Sequence, residues 1–212
     1  DPGDAVLVEL PGYVGGLSAI ANYEANLVGI PLDEDGVRID LLEAKLRELL
    51  MRGQRVKFIY LVPNFQNPTG VTMCLERRRE LVRLAEEYGF LILEDNPYGE
   101  LRFTGEPLPH IKTFDRDGHV IYLGTFSKVF CPGLRIGWIV ADTEIIRKFA
   151  IAKQGTDLCS NSLGQRLMIE VLRSGQLPQH VASLRSLYLK RRDAMLEALA
   201  EYMPYGVTWT EP

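Results

Sequence analysis

The chain has 212 residues, with 24 lysines and arginines against 28 aspartates and glutamates, which gives a net charge of −4. Apolar residues make up 46% and charged residues 25%, an ordinary globular composition that excludes a disordered tail, a collagen-like repeat and a disulfide scaffold. The slightly acidic balance argues against a nucleic-acid-binding domain that works by bulk charge. The longest apolar runs fall far short of the roughly 20 residues of a membrane span, and no signal peptide is visible.

The cysteines and histidines point to neither a metal site nor a disulfide framework. Cys74, Cys131 and Cys159 are far apart, form no Cys-x-x-Cys pair and are not spaced with a histidine as zinc ligands are. We therefore interpret them as free thiols of a reducing compartment, expect no metal, and expect the protein in the cytoplasm. Because the chain begins at Asp1 rather than at a methionine, we also expect a piece of a longer protein.

The first half of the chain alternates short β-rich runs with helical patterns. Strands are predicted at 5–9, 27–30, 56–62 and 90–93. The last of these runs is continuously apolar, which is typical of a strand buried on both faces. Amphipathic helices are predicted at 40–50 and 75–88, with Asp40 as an N-cap and Gly89 as a stop. The arginines at 77–79 are interpreted as a solvated helix face.

The second half is richer in helices. Strands are predicted at 119–123 and 136–140, helices at 142–153, 162–173 and 179–203, and the pattern at 207–210 is that of a further strand. Alternation of helices with near-continuous apolar strands predicts an α/β fold with a mainly parallel sheet.

Ligands of such sheets bind beyond the carboxyl ends of the strands, so the residues that follow each predicted strand are the candidate site. Those residues are Asn67 after 56–62, Asp95, Pro97 and Tyr98 after 90–93, Thr125, Ser127 and Lys128 after 119–123, and Arg135 just before 136–140. An amide, a carboxylate, a phenol, hydroxyls, an amine and a guanidinium are thus expected at one edge of the sheet.

These groups have complementary chemistry. A lysine forms a Schiff base with an aldehyde, and a carboxylate holds a pyridine nitrogen protonated. Threonine, serine and arginine together match a phosphate, while a phenol and an amide suit a phenolic oxygen. Together they meet the requirements of pyridoxal 5'-phosphate (PLP).

Four motifs then carry a family resemblance: Asn-Pro-Thr-Gly at 67–70, Asp-x-x-Tyr at 95–98, Thr-x-Ser-Lys at 125–128 and Gly-Leu-Arg-Ile-Gly at 133–137. In this order and spacing the chain resembles the fold-type I, class I/II PLP-dependent aminotransferases over essentially its whole length. Gln66 and the segment 152–158 are most similar to the 2-aminoadipate/kynurenine-type subgroup.

The resemblance implies a three-layer α/β/α architecture and two domains. Residues 1–175 would be the PLP-binding large domain without its N-terminal part. Residues 176–212 would be a linking helix and the beginning of a truncated, smaller C-terminal α+β domain.

It also implies three catalytic residues. Lys128 would form the Schiff base (the internal aldimine) and, once freed by the amino substrate, shuttle a proton. Asp95 would pair with the pyridinium nitrogen. Tyr98, presented by a turn at Pro97, and Asn67 would hydrogen-bond the ring 3-oxygen. The plainer alternatives are a surface lysine, a turn-capping aspartate, a half-buried tyrosine and an Asn-Pro turn.

The remaining implied contacts are with the phosphate and the ring face. Thr125, Ser127 and Arg135 would bind the phosphate, and Tyr13 would stack on the ring. Here the alternatives are local turn capping by the hydroxyls, a surface ion pair for the arginine, and a packed turn tyrosine.

The implied activity is transfer of an amino group from an amino acid to a 2-oxo acid, with 2-oxoglutarate as the expected acceptor, by a homodimer. Two alternatives stay open. One is the PLP-binding effector domain of a winged-helix transcription regulator, which the Gly-Thr-Phe-Ser-Lys run at 124–128 also resembles, although Asp-x-x-Tyr follows the free enzymes. The other is a lyase or decarboxylase on the same fold. Aminoadipate, aromatic and branched-chain substrates fit equally, and by resemblance the ligand of the substrate carboxylate lies outside this chain.

Overall fold

A computed structural model describes residues 1–212. Its strands are β1 (Ala5–Leu10), β2 (Asn26–Asp33), β3 (Gly36–Val37), β4 (Val56–Leu61), β5 (Leu91–Asp95), β6 (Val120–Thr125) and β7 (Gly137–Val140). Its helices are α1 (Val14–Ala21), α2 (Ile39–Met51), α3 (Leu75–Tyr88), α4 (Thr143–Thr156), α5 (Ser162–Arg173) and α6 (Leu177–Tyr202), with 3₁₀ turns at Gly99–Leu101, Ile111–Phe114 and Pro132–Leu134. None of these helices has the length and apolar character needed to span a membrane.

The seven strands form one sheet in the order β3-β2-β1-β4-β5-β6-β7. β2, β1, β4, β5 and β6 are parallel, whereas β3 and β7 run antiparallel at the two edges. The predicted α/β class with a mainly parallel sheet is confirmed. The chain turns to one side of β1 to form β2 and to the other side to form β4, so the switch in strand order lies between β1 and β4.

Helices cover both faces of the sheet. Side chains of a strand alternate between faces, so Ala5 and Leu7 of β1 join the main core with α2 and α3. Val6 and Val8 point the other way, into a smaller cluster with Leu17 of α1. The sheet is therefore buried on both faces at its centre, as the apolar strand sequences predicted.

Three predictions about local structure are wrong. Asp40 is not the N-cap of α2: Arg38 occupies that position, and its Nε donates to Asp40 at 2.8 Å from within the first turn. An acidic residue in the first turn suits the positive end of the helix dipole as well as a cap does. Residues 207–210 form no strand, since no neighbouring strand pairs with them. In addition to these errors, one helix was not predicted: α1, which follows the turn at Tyr13.

The third error concerns Arg78, which is fully buried rather than solvated. Its guanidinium donates four hydrogen bonds, to the carbonyls of Met73, Pro63 and Pro109 at 2.9, 3.0 and 2.9 Å, and to Asn64 Oδ1 at 2.8 Å. Burial lowers the pKa of Arg78 to about 10, which leaves it charged at neutral pH. Arg78 thus ties α3 to the loop that follows β4.

We expect Arg78→Met to lower the free energy of unfolding by about 3–5 kcal/mol, because four buried acceptors lose their donors. The matched control is Arg79→Met on the same helix, where the exposed arginine stacks on the Phe114 ring. Its loss should stay near 1 kcal/mol or below. Urea denaturation of both variants measures the difference, and equal losses would contradict the role given to Arg78.

Candidate active site

A cavity of about 280 Å³ lies where the carboxyl ends of β4, β5 and β6 meet. All nine predicted site residues line it, and Val62 and Pro132 complete its wall. The nine are Tyr13, Asn67, Asp95, Pro97, Tyr98, Thr125, Ser127, Lys128 and Arg135. The structure therefore brings together residues from five separate segments: four that the strand-end argument predicted, and the segment of Tyr13, which the resemblance implied.

Asp95 is the last residue of β5, so the strand is longer than predicted and itself carries the carboxylate into the cavity. Its Oδ2 accepts a hydrogen bond from the Tyr60 hydroxyl at 2.7 Å. Burial raises the pKa of Asp95, and the Tyr60 hydrogen bond opposes that rise. Asp95 is half-buried, and no lysine, arginine or histidine forms an ion pair with its carboxylate.

Thr125, Ser127 and Arg135 form the opposite wall. Thr125 ends β6, its Oγ1 lies 2.9 Å from Ser127 Oγ, and it also accepts the Ser127 N–H at 3.1 Å. The turn-capping role considered for these hydroxyls is thus present alongside the predicted one. Arg135 reaches the same edge because β7 is antiparallel and begins two residues later. Its Nη1 donates only to the Pro132 carbonyl at 3.2 Å, so most of its donors are free for an anion.

Lys128 lies in the loop after β6. The N–H groups of Phe130 and Cys131 both donate to the Phe126 carbonyl, at 2.9 and 3.2 Å, and close a turn around the lysine. The buried Val129 anchors the turn, while Lys128 Nζ stands 6.0 Å from the centre of the Tyr98 ring. Lys128 forms no ion pair, which leaves its amine free for covalent chemistry.

Gly124 precedes this loop and has to be glycine for a packing reason. A Cβ at this position would stand 2.2 Å from the ring of Trp138, its partner across β6 and β7. The Trp138 ring therefore packs directly against the backbone of Gly124, which leads into the lysine turn.

Two residues of the site region escaped the sequence argument, because they lie inside strands rather than after a strand end. Tyr60 in β4 orients Asp95. Glu9 in β1 is buried, and its Oε2 accepts from the Val62 N–H and from Gln66 Nε2, both at 3.1 Å. The available signal was a carboxylate near the end of an otherwise apolar strand, a position where a buried charge needs a reason.

Buried amides connect the loops that carry these residues. Asn64 Nδ2 donates to Asn96 Oδ1 at 2.7 Å, and Asn96 Nδ2 donates to the Tyr122 hydroxyl at 3.0 Å. These hydrogen bonds fix the loops after β4 and β5 to each other and to β6. They therefore help to hold Asn67, Asp95 and the lysine turn in fixed relative positions.

The comparisons with known proteins agree with this geometry. All 212 residues match the family described as aminotransferase class I and II. The chain belongs to this family. The prediction of the family is confirmed, and so is PLP as its cofactor; the roles of the nine residues stay a prediction.

Two aminotransferases illustrate the relationship. The chain is 52% identical over 212 residues to aromatic-amino-acid aminotransferase 1 of Thermococcus litoralis. The aligned region covers 100% of this chain and 51% of that protein. The crystal structure of Pyrococcus horikoshii kynurenine aminotransferase with PMP superposes with a TM-score of 0.98 at 53% identity, over 100% of this chain and 52% of that one. These names agree with the predicted kynurenine-type subgroup. The chain spans about half the length of the relatives it matches.

A transcription regulator is also a relative. The chain is 38% identical over 211 residues to the HTH-type transcriptional regulator YdfD of Bacillus subtilis, which covers 99% of this chain and 42% of that protein. A region similar to this chain thus also occurs in a protein named as a transcriptional regulator, which is one of the two alternatives that the sequence left open.

Glu9 gives the site a testable pH dependence. Burial raises its pKa from 4.5 to about 8, so between these values the folded protein holds a proton that the unfolded chain has lost. The contribution of Glu9 to the free energy of unfolding is therefore largest below about pH 4.5 and is lost as the pH rises toward about 8.

In cofactor-free wild type, the free energy of unfolding should decrease between about pH 5 and pH 8. In Glu9→Gln this decrease should be smaller by roughly 2 kcal/mol or more. Urea denaturation across this range measures the slope, with the exposed Glu86→Gln on α3 as the control. Parallel curves for wild type and Glu9→Gln would show that Glu9 does not hold a proton in the folded state.

Proposed function

We propose that the protein is a PLP-dependent aminotransferase that moves an amino group from an amino acid to a 2-oxo acid. The observation that carries this proposal is the meeting of three chemistries in one cavity of about 280 Å³. An amine without an ion pair, a half-buried carboxylate without an ion pair, and a set of two hydroxyls and a guanidinium are the three groups that an aldehyde, a pyridine nitrogen and a phosphate require.

The cofactor supplies the electron sink that lets an amino acid lose its α-proton. In this proposal Asp95 keeps the ring nitrogen protonated, because a cation at that point relieves the cost of burying the carboxylate. Tyr60 orients Asp95 through the hydrogen bond of 2.7 Å. Lys128 would hold the aldehyde carbon of the cofactor and, once displaced by the amino substrate, would move a proton at the substrate α-carbon.

The other residues hold the cofactor in register. Thr125, Ser127 and Arg135 bind the phosphate, Asn67 and Tyr98 donate to the ring 3-oxygen, and Tyr13 stacks on the ring face, with Pro97 shaping the turn before Tyr98. This assignment is supported by their common place on the cavity wall. Fixing the ring at three points leaves its reactive carbon beside Lys128, which is the positional part of catalysis.

The substrates and assembly follow as further parts of the proposal. We infer 2-oxoglutarate as the amino acceptor and a homodimer as the working form in the cytoplasm. The division into a large domain at 1–175 and the start of a smaller domain at 176–212 also stays a prediction. Because the two aminotransferases above are named for aromatic amino acids and kynurenine, the test panel starts with these and adds 2-aminoadipate and branched-chain amino acids.

A PLP-binding effector domain is the second candidate, favoured by the regulator relative at 38% identity. Such a domain would bind PLP through the same lysine without carrying amino groups between substrates. Turnover, rather than binding, therefore separates the two functions.

The first test is a visible spectrum of the protein with PLP, before and after addition of the amino-acid panel. We expect a band that Lys128→Ala abolishes and that Lys57→Ala leaves unchanged, since Lys57 lies near the amino end of β4, at the opposite edge of the sheet. At least one amino acid should convert the band in wild type, with release of its oxo acid.

A band that no amino acid converts would favour the effector domain, and release of ammonia or carbon dioxide would favour a lyase or decarboxylase. Absence of any Lys128-dependent band would overturn the PLP proposal itself.

The second test concerns Asp95. Asp95→Asn removes the charge that holds the ring nitrogen protonated, so we expect the transamination rate to fall by about 100-fold or more. Asp142→Asn, at the N-cap of α4 and outside the cavity, is the matched control and should leave the rate within about twofold. Comparable rates for Asp95→Asn and wild type would remove Asp95 from the catalytic set.

A further inference from the structure

Glu9 stands at the point where β1 and β4 separate. Backbone pairing of the two strands ends at Val8 with Tyr60. Just beyond it, Glu9 Oε2 takes the place of a backbone acceptor and receives the Val62 N–H at 3.1 Å. Val62 is itself part of the cavity wall. The Glu9 side chain thus accepts a hydrogen bond from the residue that follows β4, just beyond the last residues that pair through their backbones.

The same oxygen reaches the loop that carries Asn67. Gln66 Nε2 donates to Glu9 Oε2 at 3.1 Å and to the Pro11 carbonyl at 2.9 Å. Both Glu9 and Gln66 are buried, with 4% and 3% of their surfaces exposed. Two residues after Pro11 comes Tyr13, so this contact joins the segment of the predicted stacking tyrosine to the loop of Asn67.

The other end of the Gln66 side chain organises that loop. Its Oε1 accepts the Thr69 N–H at 2.9 Å and the Thr69 hydroxyl at 2.7 Å. The Gln66 backbone closes the same loop, since its N–H donates to the Val71 carbonyl at 2.8 Å and its carbonyl accepts the Gly70 N–H at 2.5 Å. Asn67 lies between these anchors, so its place depends on where Gln66 is held.

We propose that Glu9 is a positioning residue which, through Gln66, sets Asn67 and the segment of Tyr13 against the cofactor ring. Its route of action is a continuous chain of four hydrogen bonds: Val62 to Glu9, Gln66 to Glu9, Gln66 to Pro11 and Thr69 to Gln66. The statement about the ring rests on the proposed function; the link from Glu9 to the Asn67 loop does not.

Three variants separate this role from a merely structural one. Glu9→Ala removes the acceptor and leaves the Val62 N–H and one Gln66 donor bond unmade. Glu9→Gln keeps an acceptor oxygen of the same reach and should restore the wild-type behaviour. Gln66→Met removes the same link from the Gln66 end, with no substitution in β1. It replaces Glu9→Ala in the same assays if Glu9→Ala fails to fold.

The first readout needs no cofactor. Hydrogen exchange of the amides at 66–71 should be about 10-fold faster in Glu9→Ala and in Gln66→Met than in wild type, while peptides of α2 exchange as before. Glu9→Gln should exchange at the wild-type rate. Equal loop exchange in Glu9→Ala and wild type, or the same acceleration in the loop and in α2, would overturn the link.

The second readout uses the holoenzyme with PLP. In the proposed function Asn67 would donate to the ring 3-oxygen and so stabilise its anionic form, and a misplaced Asn67 should therefore raise the pH midpoint of the visible band by about half a unit in Glu9→Ala. The shift should vanish when Asn67→Ala is already present, because Glu9 acts through that residue. An unchanged midpoint in Glu9→Ala, or an equal shift in the Asn67→Ala background, would overturn the positioning role.

The two failures are distinguishable. If wild type shows no Lys128-dependent band, the proposed function fails and the exchange data alone decide whether Glu9 anchors the loop. If the band is normal in wild type and insensitive to Glu9, the proposed function stands and this inference fails.

Discussion

The parting of β1 and β4 is the constraint on which the site depends. While the two strands are paired, their backbone groups satisfy each other, but beyond Val8 and Tyr60 the pairing stops and a cleft opens. Where the two strands separate, their backbone N–H groups no longer pair with each other, so each needs another hydrogen-bond acceptor. Glu9 supplies one for Val62, so a side chain satisfies the main-chain donor at the opening.

The buried polar residues of the molecule follow from this constraint. They number six, and all lie at the ends of strands or in the loops and helix behind them: Glu9, Asn64, Gln66, Arg78, Glu94 and Asn96. Each meets backbone or side-chain partners that the sheet leaves unpaired; Glu94, for example, accepts the N–H groups of Ile111 and Lys112, both at 2.9 Å. Since a buried polar group without a partner is costly, these bonds hold the loops in one arrangement and give the cavity fixed walls.

The sequence predicted the residues that line the cavity better than those that hold them in place. Asn67, Asp95, Lys128 and Arg135 stand at strand ends, and the rule that parallel strands present their carboxyl ends at one edge needs no tertiary detail. Arg78 shows the limit, because helical spacing placed it in a run of three arginines and only the loop packed over α3 makes it buried. The segment 207–210 failed for a similar reason, since a strand requires a neighbour and the local pattern does not supply one.

Glu9 and Asp95 place two carboxyl groups in the site region, so their charges interact. Burial raises the pKa of both groups, and a negative charge on Asp95 makes ionisation of Glu9 still less favourable. The Tyr60 hydrogen bond favours the ionised form of Asp95, whereas Glu9 is almost wholly enclosed. Because burial raises its pKa to about 8, Glu9 is an uncharged acceptor of hydrogen bonds near neutral pH. In the proposed function, an uncharged Glu9 would not compete with Asp95 for a cationic ring nitrogen, so the same side chain could stabilise the cleft without altering the charge beside the ring.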